Sequence, residues 1–149
     1  MYLVDTNVLL RAQQPQSIQF SDALLAVETL QRRGEVLGIV PQVIAEFWNV
    51  CTRPSNRNGL GLSPEVAEQK LRAIELAFTL FTGSELEVYQ QWRELIVIHQ
   101  VKGVQVHDAK LVASMFVHEI THVLTFNGKD FQRFPNIKVV DPSSIATGL

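Results

Sequence analysis

The sequence lacks the features of disulfide-bonded, secreted and membrane proteins. Only one of its 149 residues, Cys51, is a cysteine, so no internal disulfide can form and a reducing compartment is expected. Cys51 lies in an apolar stretch, which favours packing over reactivity. No apolar run approaches the roughly 18 residues that span a bilayer, and the first residues lack the basic start of a signal peptide. We therefore expect a cytoplasmic protein that does not enter the membrane.

The sequence also lacks an excess of positive charge. There are 13 Lys and Arg residues against 15 Asp and Glu, a formal net charge of −2. A protein that held nucleic acid by its overall charge would be basic. Binding to nucleic acid would therefore need divalent cations and a local cluster of Arg and Lys.

Glycine and proline are scarce, with 8 and 6 residues, while 46% of the residues are hydrophobic and 19% are charged. This composition is typical of globular proteins and excludes disordered and fibrous chains. The length suits one ordinary domain, residues 1–149, that can bury a core.

Short apolar segments alternate along the chain with segments whose apolar residues recur at helical spacing. Strands are predicted at 2–4, 36–40, 79–82, 122–126 and 137–140. Helices are predicted to begin near Thr6, Phe20, Pro41, Ser63, Ser84 and Asp108, and Ser84 and Glu87 have the spacing of a capping box. The alternation predicts an α/β fold, a three-layer α/β/α sandwich with a central, mainly parallel sheet of about five strands.

The order of the strands predicts a binding crevice. If the fourth strand lies beside the first, the chain reverses direction between them, and ligands bind at the carboxyl ends of strands at such a point. Asp5 ends the first strand, and Asn127 and Asp130 follow the fourth. All three are therefore expected at the crevice.

Four acids are candidates for the site, although each has a simpler interpretation. Asp5 and Asp108 could cap helices, and Asp130 could serve a turn. Glu46 is flanked by Ala45 and Phe47, an odd setting for a solvated acid. Together, however, crowded carboxylates repel one another unless a cation neutralises them. Oxygen donors suit Mg²⁺ or Mn²⁺, which activates water and balances phosphoryl charge.

Four segments together resemble the motif blocks of the PIN-domain nucleases, and within them the VapC-type toxins of toxin–antitoxin pairs. The segments are V-D-T-N-V, P-Q-V-I-A-E-F, H-D-A-K-L-V-A-S and T-F-N-G-K-D-F, in this order. The resemblance runs from Met1 to about Asp141. It implies the α/β/α fold, Mg²⁺ or Mn²⁺, endoribonuclease activity on RNA, and a small antitoxin protein as partner.

The resemblance also implies roles for particular residues. Asp5, Glu46 and Asp108 would hold the metal directly or through water. Thr6 and Asn7 would hold Asp5 in place, and Thr125 would support the last block.

One position departs from the family pattern. Many members carry an acid where this chain has Asn127, whose amide offers only a neutral oxygen. Either Asp130 supplies the fourth carboxylate, or the site is weak. Gly128 allows the first outcome, because it can adopt backbone angles that turn the chain back towards the crevice. We expect Asp130 in the site, since an acid at a buried edge needs a charged partner. Lys129 would then point outward, where it could meet a phosphate.

Other basic and aromatic residues have less specific interpretations. Arg53 and Arg57, in the loop at 53–62, are the preferred RNA contacts together with Lys129. His107 could move protons, although a solvated or supporting role is favoured. Helical spacing predicts that three aromatic residues lie in the core or an interface rather than stacking on bases: Phe47, Trp48 and Trp92.

Two functions compete with RNA hydrolysis. A catalytically weak or silent PIN scaffold would only bind RNA or a protein partner, and Asn127 favours it. A phosphatase of haloacid dehalogenase type would need a second acid two residues after Asp5, where this chain has Asn7. Dinucleotide binding is not supported either, because no G-x-G-x-x-G motif follows a predicted strand. The high apolar content and dispersed aromatics further predict a homodimer and an apolar groove for a partner.

Overall fold

In the computed structural model, which describes residues 1–148, a parallel sheet of five short strands forms the centre of the molecule. The strands lie in the order β3-β2-β1-β4-β5, and every neighbouring pair is parallel. Their bounds are β1 (Tyr2–Val4), β2 (Leu37–Ile39), β3 (Thr79–Leu80), β4 (His122–Leu124) and β5 (Lys138–Val140).

Seven α-helices within the described residues flank this sheet. They are α1 (Thr6–Arg11), α2 (Phe20–Arg32), α3 (Pro41–Thr52), α4 (Pro64–Ala77), α5 (Glu85–Ile98), α6 (Val106–Val117) and α7 (Pro142–Ala146). A short 3-10 turn, Gly128–Phe131, follows β4. The predicted three-layer α/β/α sandwich with a parallel sheet is confirmed. Among residues 1–148, no helix combines the length and the apolar character needed to cross a membrane.

The chain changes direction between β1 and β4, as the sequence predicted. From β1 it winds outward through β2 to β3, and then returns to place β4 on the other side of β1. Leu3 pairs with Val123 and Val4 with Leu124. The amide of Asp5 donates a hydrogen bond to the carbonyl of Leu124 at 3.0 Å. This bond fixes Asp5 at the carboxyl end of the sheet, at the crevice between the two strands.

The core lies on both faces of the sheet because the central strands are apolar on both sides, as parallel strands usually are. Leu3 and Val4 of β1 have no exposed surface. Phe47 and Cys51 of α3 are also fully buried, which confirms that Phe47 is a core residue and that Cys51 packs. A phenylalanine truncated to alanine at such a site costs about 3–5 kcal/mol.

Three local features of the structure differ from the sequence analysis. Ser84 precedes α5, but its side chain makes no capping bond; instead Glu85 accepts one from the amide of Gly83 at 3.3 Å. Asp108 is not a helix cap, because α6 begins two residues earlier at Val106. Helix α7 was not predicted, although Asp141 caps it by accepting from the Ser143 amide.

Candidate functional site

Asp5 is the most constrained acid at the crevice. Its Oδ1 accepts a hydrogen bond from the Thr6 amide at 2.7 Å, and its Oδ2 accepts from Asn7 Nδ2 at 2.9 Å and Thr125 Oγ1 at 2.7 Å. The side chain is buried, and this burial is the main reason that its pKa is raised, with the charge of Glu46 adding to the effect. Asp5 therefore presents a carboxylate whose orientation is fixed by three donors.

Asn7 joins the ends of β1 and β4. Besides its bond to Asp5, its Nδ2 donates to Thr125 Oγ1 at 3.1 Å, and its Oδ1 accepts from the Phe126 amide at 3.1 Å. The amide of Asn127 also donates to Thr125 Oγ1, at 3.0 Å. This network ties the last motif block to the first, which is the supporting position proposed for Asn7 and Thr125.

Glu46 reaches the crevice from α3. Its Oε2 accepts a hydrogen bond from Thr6 Oγ1 at 2.9 Å, and its Oε1 accepts from Gln42 Nε2 at 3.2 Å. The same Gln42 nitrogen donates to the carbonyl of His107 at 2.9 Å. Thr6 therefore contacts Glu46 with its hydroxyl and Asp5 with its amide.

Sequence reasoning missed Gln42. The available signal was its position one helical turn before Glu46 on α3, which places the two side chains side by side.

Asp108 is a second acid at the crevice whose pKa is raised. It is the third residue of α6, and its pKa is raised to about 6. Burial is the largest cause, followed by the negative charges of Asp130, Asp5 and Glu46, while His107 acts in the opposite direction. The structure thus brings the four predicted acids close enough together that the charges of the other three raise the pKa of Asp108.

Asp130 lies in the 3-10 turn that follows β4 and is exposed. Its charge is the strongest of the neighbouring charges that raise the pKa of Asp108. Asn127 precedes the turn and is also exposed, and its carbonyl accepts from the Asp130 amide at 3.0 Å. This arrangement favours Asp130 over Asn127 as the residue that supplies the fourth oxygen ligand of the site.

The expected role of Gly128 was wrong. Its backbone does not adopt the left-handed conformation found at Gly34 or Gly61. A Cβ at Gly128 would instead lie 3.0 Å from Val139 Cγ1. A side chain at position 128 would therefore crowd Val139 of β5, which favours glycine at the start of the turn that carries Asp130.

The donor set suits a divalent cation in its chemistry but does not form a closed cage. Within residues 1–148, no three His, Cys, Asp or Glu side chains lie close enough together to hold a metal ion directly. The four acids offer only oxygen atoms, which hard cations prefer. Mg²⁺ commonly binds through one or two carboxylates and keeps several waters. The arrangement fits that mode, with the other acids acting through water.

A comparison of the sequence with protein-family models identifies the family. The PIN domain model matches residues 2–137. The chain belongs to the PIN domain family. The search among curated proteins found no match.

Solved structures share the fold of this PIN domain at low identity. VapBC2 from Rickettsia felis, bound to a DNA fragment from its promoter, is 18% identical with a TM-score of 0.66 and covers 94% of this chain and 97% of its own. A toxin–antitoxin complex from Klebsiella pneumoniae is 21% identical with a TM-score of 0.65, with coverage of 95% and 98%. VapC20 from Mycobacterium tuberculosis, a sarcin-ricin loop cleaving toxin, is 20% identical with a TM-score of 0.64, with coverage of 90% and 95%.

The three residues predicted to contact RNA differ in how far their side chains are already bonded within the protein. Arg53 donates from Nη2 to the carbonyl of Asn58 at 2.9 Å, and its Nε is buried without a partner among the described residues. Its guanidinium is therefore partly committed to its own loop. Arg57 and Lys129 are exposed, and Lys129 stands beside Asp130. The contact of all three with RNA stays a prediction.

Proposed function

We propose that this PIN domain is an endoribonuclease that hydrolyses RNA phosphodiester bonds with Mg²⁺ or Mn²⁺. The observation that carries the proposal is the coupling of four acids at one crevice, where Asp130, Asp5 and Glu46 all raise the pKa of Asp108. Such crowding disfavours the charged acids unless a cation compensates it. A divalent cation is the ligand that an all-oxygen acidic set suits best.

The four acids would divide the task according to their burial. Asp5 is buried and held by three donors, so it provides a fixed oxygen at the base of the crevice. Glu46 is held beside it through Thr6. Asp108 is partly exposed and Asp130 fully so, which leaves them free to orient water and the phosphate. A bound Mg²⁺ or Mn²⁺ would lower the pKa of a coordinated water and balance charge on the phosphoryl group.

The hydrolysis itself forms one bond and breaks another. The attacking water bonds to phosphorus through its oxygen and gives up a proton to solvent, while the ribose oxygen leaves and takes up a proton from solvent. Asp108 and Asp130 would align this water by accepting its hydrogen bonds, while Arg57 and Lys129 hold neighbouring phosphates. The acidic crevice alone would repel RNA, so cleavage requires the cation.

A small antitoxin is the proposed protein partner. Structures with the same fold include toxin–antitoxin complexes from Rickettsia felis and Klebsiella pneumoniae. In this chain, the antitoxin would lie across the crevice and restrain its activity as a toxin.

A second copy of the chain is the other proposed partner. Helix α5 leaves four large apolar or aromatic side chains exposed, Leu86, Tyr89, Val97 and Ile98. Leu86, Tyr89 and Val97 lie on one face of α5, because successive members are three and eight residues apart, and Ile98 directly follows Val97. An exposed apolar surface of this kind is typical of an interface, so we propose that α5 forms the homodimer contact.

The alternative function is a weak or silent scaffold that binds RNA or a protein. Two observations favour it, namely Asn127 in place of an acid and the lack of a three-ligand cage within residues 1–148. The scaffold and the nuclease differ in whether the crevice binds Mn²⁺ and whether RNA is cut.

Mn²⁺ binding by the purified chain, measured calorimetrically, tests the proposed site. Glu46→Gln should weaken Mn²⁺ binding at least about ten-fold, because it removes one of the crowded charges. Glu75→Gln is the matched control, since Glu75 is an exposed glutamate in the middle of α4. Equal Mn²⁺ affinity in the two variants and the wild type would contradict the proposed metal site.

A further inference from the structure

A large cavity lies beside the acidic crevice. Its volume is about 730 Å³, within the roughly 300–1,000 Å³ range typical of ligand sites. It lies between the start of α3, the segment after β3, and helices α5 and α6. The side chains that matter for recognition are Gln42, Phe81, Tyr89, Trp92, His107 and Lys110.

Aromatic rings form much of the cavity lining. Tyr89 and Trp92 of α5 lie with their ring centroids 6.4 Å apart. Phe81 and His118, from the other elements, have ring centroids 5.3 Å apart. The indole of Trp92 is held in place, because its Nε1 donates to the carbonyl of Val106 at 2.9 Å. A planar ligand in the cavity would therefore lie among several aromatic rings, one of them held in place by a hydrogen bond.

Gln42 connects the cavity to the acids of the crevice. This side chain lines the cavity and donates to both Glu46 and the His107 carbonyl. Its Oε1 is buried and has no hydrogen-bond partner among residues 1–148. His107 also lines the cavity and directly precedes Asp108. A ligand in the cavity thus lies next to the place where a phosphate would be cut.

We infer that the cavity binds an unpaired nucleobase of the RNA, beside the scissile phosphate. The inference rests on the proposed function and extends it by naming what the substrate must offer, an unstacked base in a single-stranded segment. Proteins recognise such bases by stacking them on aromatic side chains. This assigns Trp92 to base contact as well as packing, against the expectation from helical spacing alone.

The combination of aromatic rings and a basic side chain favours a nucleotide over a purely apolar peptide. Lys110 and His107 lie at the cavity, and Glu85 is the one acid in its lining within the described part of the chain. A base placed among the rings would leave its phosphate near these two basic side chains and the neighbouring acids. An apolar peptide would gain from the rings but would leave the charge of Lys110 without a partner.

Binding of two small probes without divalent metal tests the inference separately from cleavage. Adenosine 5′-monophosphate and ribose 5-phosphate carry the same phosphate, but only the first has a base. In a Trp48→Phe background, the fluorescence of Trp92 should be quenched by the nucleotide and not by the sugar phosphate. Equal quenching by the two probes would overturn the inference and leave the cavity to an apolar segment of a protein partner.

A variant whose side chain fills the cavity provides a second test of nucleotide binding. Ala45 is exposed on α3 and lines the cavity, so Ala45→Tyr should weaken nucleotide binding at least about five-fold, the lower end of what one stacked base contributes. The matched control is Ala73→Tyr, at an exposed alanine of α4 outside the lining. Unchanged binding in Ala45→Tyr would contradict the inference.

Cleavage separates the inference from the proposed function. With Mn²⁺, an RNA with an abasic residue next to its cleavage site should be cut at least about five-fold more slowly than the intact RNA. Equal cleavage of the two RNAs would overturn the inference while supporting the nuclease. Base-dependent nucleotide binding without any RNA cleavage would support base binding by the cavity and contradict the nuclease.

Discussion

At the scale of single residues, Asp5 combines a structural and a proposed catalytic task. An asparagine at this position keeps the shape but offers one acceptor oxygen to three donors, from Thr6, Asn7 and Thr125. It also removes a buried charge whose pKa is raised. These effects oppose each other, so Asp5→Asn should change the free energy of unfolding by no more than about 1–2 kcal/mol.

The same variant should lose RNA cleavage by at least about a hundred-fold, because a neutral amide binds a divalent cation poorly. Urea unfolding and cleavage assays on one preparation check both parts. A folded Asp5→Asn variant with wild-type activity would show that Asp5 does not serve the reaction.

The raised pKa of Asp108 predicts how the free energy of unfolding depends on pH. Its pKa rises from 3.8 when unfolded to about 6 when folded, so the folded protein holds this proton more tightly. The free energy of unfolding should therefore fall as the pH rises from about 4 to about 6. Allowing for solvent screening at this partly exposed side chain, the contribution is about 1 kcal/mol.

Urea unfolding in EDTA at pH 4.5 and pH 7 measures this effect. The Asp108→Asn variant should lose that part of the pH dependence. The difference between the two proteins isolates Asp108 from His122, whose lowered pKa acts in the opposite direction. Identical pH dependence in the two proteins would contradict the raised pKa.

The roles of Asp130 and Asn127 can be distinguished by exchanging carboxylate and amide at each position. Asp130→Asn should lower the pKa of Asp108, because it removes the strongest neighbouring charge, and should weaken Mn²⁺ binding several-fold. Asn127→Asp provides the comparison. If Asp130→Asn leaves Mn²⁺ affinity and cleavage unchanged while Asn127→Asp raises both sharply, the natural site is a weakened one and Asp130 lies outside it.

At the scale of elements, the 3-10 turn after β4 depends on its contact with β5. Gly128→Ala would place a Cβ 3.0 Å from Val139 Cγ1, so one of the two must shift. We expect a loss of about 1 kcal/mol in unfolding free energy, from overpacking, with weaker Mn²⁺ binding as Asp130 moves. Val139→Ala in the same chain should restore both. A double variant no better than Gly128→Ala would refute this explanation of the glycine.

The regular elements could be predicted because local patterns and the fold agree. Apolar strands such as Tyr2–Val4 and the periodic helix Phe20–Arg32 satisfy local and tertiary preferences together. The positions of Asp5 and Glu46 followed from these elements. The capping box at Ser84 failed because the backbone of Ser84, at φ −130° and ψ 37°, is not in the extended conformation that a capping residue adopts. The packing of Gly128 depends on a contact with the distant Val139, which no local pattern contains. Gln42 was missed although its spacing to Glu46 is local, because the spacing alone does not show that the pair lies at the crevice.

At the scale of the whole molecule, the exposed apolar side chains of α5 predict self-association. Val97 and Ile98 are 67% and 70% exposed. Replacing both with glutamate should convert the homodimer to a monomer in sedimentation experiments, because each charge would be buried without a partner in the interface. A wild-type chain that is already monomeric at micromolar concentration would rule out α5 as a dimer contact.

The central claim is that the four-acid crevice cleaves RNA with the help of a divalent cation. Its most direct test is cleavage of single-stranded RNA by the purified chain with Mn²⁺ or with EDTA, beside Asp5→Asn and Glu46→Gln prepared identically. The account predicts internal cleavage by the wild type that requires Mn²⁺ and is lost in both variants. Cleavage that persists in EDTA, or at the wild-type rate in both variants, would contradict it.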